Sequence, residues 1–197
     1  RINERCSSRG SIFITSIGYN IINEKGFKFG TIVTYKFGRD EDGSSTISVE
    51  GDDTNDLRAP SHVVGSFEVG AYLESKYKLL TGKFEVRQGL GGHEGLIGEA
   101  SLSYNGFTQV AAQRLIYSIG PKITYTSGAY NESYFSVNAA QSAASGLSRY
   151  NADDYAVSYG LGGNLIIPHT ETISTIIFAS YKRLGDTISD SSLVRER

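Results

Sequence analysis

Methionine and tryptophan are absent from the 197 residues, cysteine occurs once and proline three times. The lone Cys6 excludes an intrachain disulfide framework and a cysteine-based zinc cluster. So little proline, with no repeating tripeptide, excludes collagen-like and proline-rich low-complexity chains. Neither sign of charge dominates, since 19 Lys+Arg face 21 Asp+Glu for a net −2. The electrostatic footprint of a nucleic-acid binder is missing, and no such partner is expected. No stretch approaches the ~18 consecutive apolar residues of a membrane-spanning helix. That excludes helical membrane proteins only, because barrel strands need about 9–11 alternating residues. An initiator methionine and a signal peptide are missing too. The chain is expected to be an excerpt of a longer precursor whose signal peptide has been removed. At this length a single domain over 1–197 is expected.

What is present alternates with period two. Over residues 63–73 the odd positions Val63, Phe67, Val69, Ala71 and Leu73 are apolar or small. The even ones include Ser66, Glu68 and Tyr72. Successive side chains of a strand point to opposite faces, so one face is greasy and the other carries charge. The pattern returns in Leu80, Gly82, Phe84 and Val86 against Thr81, Lys83, Glu85 and Arg87. It returns again in Leu96, Gly98, Ala100, Leu102 and Tyr104 against Ile97, Glu99, Ser101 and Ser103. Further copies cover 11–19, 29–37, 107–114, 115–125, 133–140, 155–167 and 172–181, giving about ten strands and no helical window. Residues 89–92 and Asn105-Gly106 read as hairpin turns. Residues 39–60 read as an acidic solvated loop, and 142–154 as a loop or strand extension.

Two architectures carry such a pattern. A soluble sandwich or lipocalin-like barrel turns the apolar face inward; a transmembrane barrel turns it out. The strands are long against the usual 5–6 residues. The polar faces mix both signs in Glu68, Lys83, Glu85, Arg87, Glu99, Arg114 and Lys122, which suits a paired network in a polar lumen. Tyr19, Tyr35, Phe37, Tyr104, Tyr125 and Tyr181 stand near segment ends, where an aromatic girdle sits. The residues alone leave both architectures open.

Little in the sequence carries chemistry. Asp40, Asp42 and Ser44 fall at calcium-loop positions, but Ser45 occupies the slot of the turn glycine and Gly51 that of the bidentate glutamate. His62, His93 and His169 are too scattered for a zinc site and read as structural or loop histidines. Gly89-Leu-Gly-Gly-His93 lacks the Lys-Ser/Thr of a phosphate loop. No Gly-x-Ser-x-Gly elbow occurs. No catalytic, cofactor or metal site is expected. Asn131-Glu-Ser is a glycosylation triplet without a context that gives it meaning.

The C-terminal half carries a resemblance. Ser133-Tyr-Phe-Ser-Val-Asn138, Gly146-Leu-Ser-Arg-Tyr150, Tyr181-Lys-Arg-Leu-Gly-Asp186 and Ser189-Asp-Ser-Ser-Leu-Val194, with Phe37-Gly-Arg-Asp-Glu-Asp42 and Asp56-Leu-Arg58, resemble the MipA/OmpV family of bacterial outer-membrane proteins. Ser136 replaces that family's usual Gly and Ser192 its usual Pro. The resemblance implies an antiparallel up-and-down transmembrane β-barrel of about 10–12 strands, with the first strands and an aromatic-ended closing strand outside this chain. It also implies a non-enzymatic Gram-negative envelope protein in the outer membrane. Such a protein would scaffold peptidoglycan-cleaving and peptidoglycan-synthesising enzymes, and some members are immunogenic with suggested roles in adhesion or permeability. Expected partners are membrane lipid and peptidoglycan-processing or other envelope proteins. Expected contact residues are Asp40, Glu41, Asp42, Asp52 and Asp53 in the 39–60 loop, and Asp186 and Asp190 in the tail. The alternative function is a small-solute channel.

Overall fold

A computed structural model of the chain describes residues 2–3, 16–36, 65–110, 113–170 and 172–194. The acidic positions Asp40, Glu41, Asp42, Asp52 and Asp53, together with Cys6 and His62, lie outside the described residues. In order along the chain are β1 (Ile2–Asn3), β2 (Ser16–Glu24), β3 (Phe27–Lys36), β4 (Ser66–Tyr77), β5 (Leu80–Gly91), β6 (Leu96–Val110) and β7 (Gln113–Thr126). Then follow α1 (Gly128–Phe135), α2 (Ala139–Ser145), β8 (Ala156–Pro168), β9 (Ser174–Arg183) and α3 (Asp186–Ser189). The strands form one all-β, antiparallel, up-and-down sheet in which each pairs with its neighbours in sequence. Among the described residues β1 and β9 are its edges, so the sheet is not closed. It is nevertheless strongly curled. Lys36 of β3 and Lys182 of β9 line one cavity of about 180 Å³, whereas six strand spacings laid flat would span roughly 29 Å.

The distribution of side chains is that of an inside-out protein. Phe67 and Phe84 on the convex face are 55% and 52% exposed, and Val69, Leu73, Leu102, Ile123 and Leu161 are exposed with them. On the concave face Glu68 and Glu85 are 2% and 3% exposed, with Ser66, Thr124 and Ser158 buried beside them. In water this arrangement leaves the greasy face without a partner. In hydrocarbon the convex side chains are solvated, and laddered strands satisfy their own backbone groups. From β2 to β9 the strands run 9 to 15 residues, at or above the length that crosses a bilayer.

Several expectations need correction. Residues 133–140 do not form a strand, because helices replace it. Asn138 and Gln141 make a capping box, with Gln141 N–H donating to Asn138 Oδ1 at 2.9 Å and Asn138 N–H donating to Gln141 Oε1 at 2.7 Å. Gly146, at φ 75°, ends α2. The 142–154 stretch is accordingly part helix and part irregular chain rather than strand extension. Asn105-Gly106 is no turn, and 107–114 is no separate strand, since β6 runs through to Val110. Gly106 instead makes room: a Cβ there would stand 2.6 Å from the Tyr117 ring opposite. Likewise β5 continues to Gly91, moving the expected 89–92 turn to residues 92–95.

The two ends of the sheet differ. At one end the connections are tight: 25–26, 78–79, 111–112 and 169–173. At the other, the described connections are 92–95 and the helical 127–155, with the α3 tail. The concave face is filled at this second end.

Candidate functional site

Glu68 is the hub. It sits on the inward face of β4, and Gly89 of β5 is its cross-strand partner. Arg87 Nε donates to Glu68 Oε2 at 2.8 Å. Lys36 Nζ stands 3.9 Å from Glu68 Oε1, and His93 Nε2 lies 3.2 Å from that oxygen. The arginine also pairs with Glu85 and lies 3.7 Å from Glu99. Lys122 Nζ reaches Glu99 at 3.0 Å, and Lys83 Nζ reaches Glu85 at 2.6 Å. Glu85 and Glu99 are direct cross-strand neighbours. Like charges so placed repel, and Arg87, Lys83 and Lys122 offset that repulsion.

Six of the seven charged residues singled out from the sequence (Glu68, Lys83, Glu85, Arg87, Glu99 and Lys122) therefore share one network. Arg114 does not join it. Its guanidinium lies 4.9 Å from the centre of the Phe107 ring, toward the tight-turn end. Of the expected contact residues, Asp186 and Asp190 are exposed at the two ends of α3, with Asp190 N–H donating to Asp186 O at 2.9 Å.

Sequence reasoning missed the lid over this network. His93, in the 92–95 connection, is fully buried. Gly89 gives it space, since a Cβ there would meet the imidazole at 2.2 Å. Tyr130 and Tyr134, one turn apart on α1, meet the His93 ring edge-on at 5.0 and 5.5 Å. Lys36 Nζ donates to the Tyr130 hydroxyl and lies 4.5 Å over that ring and 4.9 Å over Tyr134. Backbone and side chain tie α1 down, with Ser127 N–H donating to Leu96 O at 3.0 Å and buried Asn131 Nδ2 to Asp154 O at 2.7 Å. From α3, buried Ile188 helps close the 180 Å³ cavity. A Gly-flanked His followed about forty residues on by a Tyr-x-x-x-Tyr repeat was the trace that the contact of α1 with His93 left in the sequence.

The histidine's protonation follows from geometry. Gly95 N–H donates to His93 Nδ1 at 3.3 Å, so Nε2 carries the proton and donates to Glu68. Burial pushes the His93 pKa below its ordinary value, opposed by Glu68. Burial, then Glu68, raises that of the Tyr130 phenol. Both lid groups are neutral near pH 7. With both ring nitrogens engaged and no solvent at the ring, His93 has no free position from which to take a proton from a nucleophile.

Toward the tight-turn end the concave face is hollow. A cavity of about 280 Å³ is lined by Glu74, Thr81, Lys83, Ser101, Ser103 and Asn105, with Ser118. Small hydroxyls line it where large charges fill the capped end. Among the described residues no group of three or more His, Cys, Asp or Glu could hold a metal ion.

Compared with known families, the chain matches the one described as MltA-interacting protein MipA over residues 3–197. No curated protein and no solved structure gives a match.

Proposed function

From the premise that this chain belongs to the MipA family, we propose that it is a bacterial outer-membrane β-barrel protein with a structural, scaffolding role among envelope proteins. The observation that carries this reading is the pairing of an exposed apolar convex face with a concave face on which Glu68, Glu85 and Glu99 pair with Arg87, Lys83 and Lys122 beneath a helical lid. A conducting pore needs a continuous hydrated path from one rim to the other. Here Lys36, Arg87 and Lys122 meet carboxylates at one end, and Tyr130 and Phe135 line the space above them. Because the wall is occupied in holding itself together, partners are met at the rims. The family description names an interaction with MltA, and peptidoglycan-processing enzymes are the partners that the scaffold reading assigns. The role is non-enzymatic, supported by the engaged nitrogens of His93.

The small-solute channel is the second reading, favoured by the hydroxyl-lined 280 Å³ cavity. Single-channel recording in planar bilayers separates the two. The wild type is expected to be silent, and reproducible open steps would replace the scaffold with the channel. A peptidoglycan enzyme captured by the wild type from detergent extracts, and lost on substitution of rim residues, is the positive result for the scaffold.

A further inference from the structure

The asymmetry between the two ends assigns an orientation and, with it, a ligand surface. In outer-membrane barrels the turns facing the periplasm are short and the loops facing outward are long. By that rule the rim of 25–26, 78–79, 111–112 and 169–173 faces the periplasm, and the lidded rim faces the exterior. Charge divides the same way. The lidded rim exposes Glu94, Glu132, Asp153, Asp154, Asp186 and Asp190 against Arg149 and Arg183, an acidic excess. The tight-turn rim exposes Lys25, Lys76 and Lys78, with Glu24 the neighbouring carboxylate. Glu74 is taken by Lys28 at 2.7 Å. Lys76 N–H donates to Gly26 O at 2.5 Å and holds the two lysine-bearing turns together. None of the three lysines enters an ion pair among the described residues.

Apolar residues surround this cluster. Tyr77 is 68% exposed, with Phe27, Leu79 and Leu80 exposed beside it, and Lys78 Nζ lies 5.4 Å over the Tyr77 ring. Ammonium groups among outward aromatics mark the depth at which a wall passes from hydrocarbon to headgroups. Turns of two residues keep the ammoniums at that depth.

Resting on the outer-membrane reading above, we infer that Lys25, Lys76 and Lys78 form a binding collar for the phosphates of anionic phospholipid in the periplasmic leaflet. Charge complementarity selects the headgroup, and the aromatic fringe selects a lipid over a soluble anion. One consequence concerns partners. Asp186 and Asp190, and the lidded rim as a whole, stand on the exterior, so a periplasmic enzyme meets the lysine rim and its lipid collar instead.

Two experiments test this. The first titrates the detergent-purified full chain with phosphatidylglycerol or phosphatidylcholine and counts retained lipid by native mass spectrometry. Wild type is expected to retain phosphatidylglycerol preferentially, with apparent affinity falling about fivefold per lysine in Lys25→Gln, Lys76→Gln and Lys78→Gln. Equal retention of both lipids, or retention unchanged in the triple variant, overturns the collar and leaves an acidic protein surface as the better occupant. The second labels single cysteines on intact cells with an impermeant maleimide, in a Cys6→Ser background. Glu132→Cys is expected to react at once, and Lys78→Cys only after the outer membrane is permeabilised; the reverse order overturns the orientation. Recovery of the protein in the soluble fraction would instead sink the outer-membrane reading on which both experiments rest.

Discussion

Removing the Glu68 carboxylate is the sharpest perturbation of the capped end. In Glu68→Ala, Arg87 keeps Glu85 and Glu99, while Lys36 loses its carboxylate neighbour and His93 its acceptor. Breaking a buried pair by deleting one partner typically costs about 3–5 kcal/mol. The remaining carboxylates around Arg87 reduce this, and the lost histidine bond adds about 1.5–3 kcal/mol. A net loss of about 3–4 kcal/mol is expected. Glu74→Ala supplies the contrast, because its pair with Lys28 is part-exposed and such pairs contribute about 0–1 kcal/mol. The measurement is urea unfolding in micelles, followed by heat-modifiable gel migration and repeated in the Glu68→Ala/Arg87→Ala double variant. Direct contact predicts that the two losses fall short of adding by at least about 1 kcal/mol. If Glu68→Ala costs no more than Glu74→Ala, Glu68 is not the hub, and the lid is held by something other than its carboxylate.

Other outcomes follow from the same geometry. Gly89→Ala puts a methyl against the His93 ring and should cost about 1–3 kcal/mol, visible as faster proteolysis within 127–155; an unchanged digestion pattern would contradict the close fit. Because the folded pKa of His93 lies below its unfolded value, the unfolded chain binds the extra proton, so lid stability should fall as pH drops below about 6.5. Tyr130, with its folded pKa raised, should erode stability as pH climbs through about 10, where the unfolded phenol ionises. His93→Gln should flatten the acid limb measured by proteolysis, and a limb that survives would assign it to another group. Phe84→Lys on the convex face should impair folding into vesicles by about 2–4 kcal/mol if the site lies near the midplane, while Ser103→Lys on the concave face should be tolerated; equal tolerance would refute the inside-out arrangement. Asn138→Ala should cost about 1 kcal/mol, confined to faster amide exchange in α2.

The wall was legible because period two is a strong signal wherever one face meets lipid and the other an ionic interior. Phe67, Val69 and Phe84 against Glu68, Glu85 and Arg87 needed no tertiary knowledge to read. The lid was not, because its elements draw stability from contacts distant in sequence. Nothing local marks α1, which has no side-chain N-cap bond and stays helical by seating Tyr130 and Tyr134 on His93. The α2 capping box was readable in Asn138-Ala-Ala-Gln141 and was masked by the weak alternation of 133–140. Gly106 and Gly89 misled for a shared reason: a glycine that makes room for a ring packed against it looks the same in sequence as one that turns the chain. Arg114 follows the alternation of the network residues but lies too near the tight-turn end to reach a carboxylate of that network.

Sequential pairing of the strands also dictates how the wall can be assembled. Each strand needs only its predecessor as a template, so growth can proceed by accretion of hairpins, with small loop-closure entropy at 25–26, 78–79 and 111–112. The steps from β3 to β4 and from β7 to β8 differ, because each closes a long connection; 127–155 must be gathered before residue 156 can align beside Thr126. That gathering seats α1 over His93 and Lys36, and α3 closes the cavity only after β9 has been added. Assembly intermediates halted at this step would carry a finished ionic cluster and an unfinished wall.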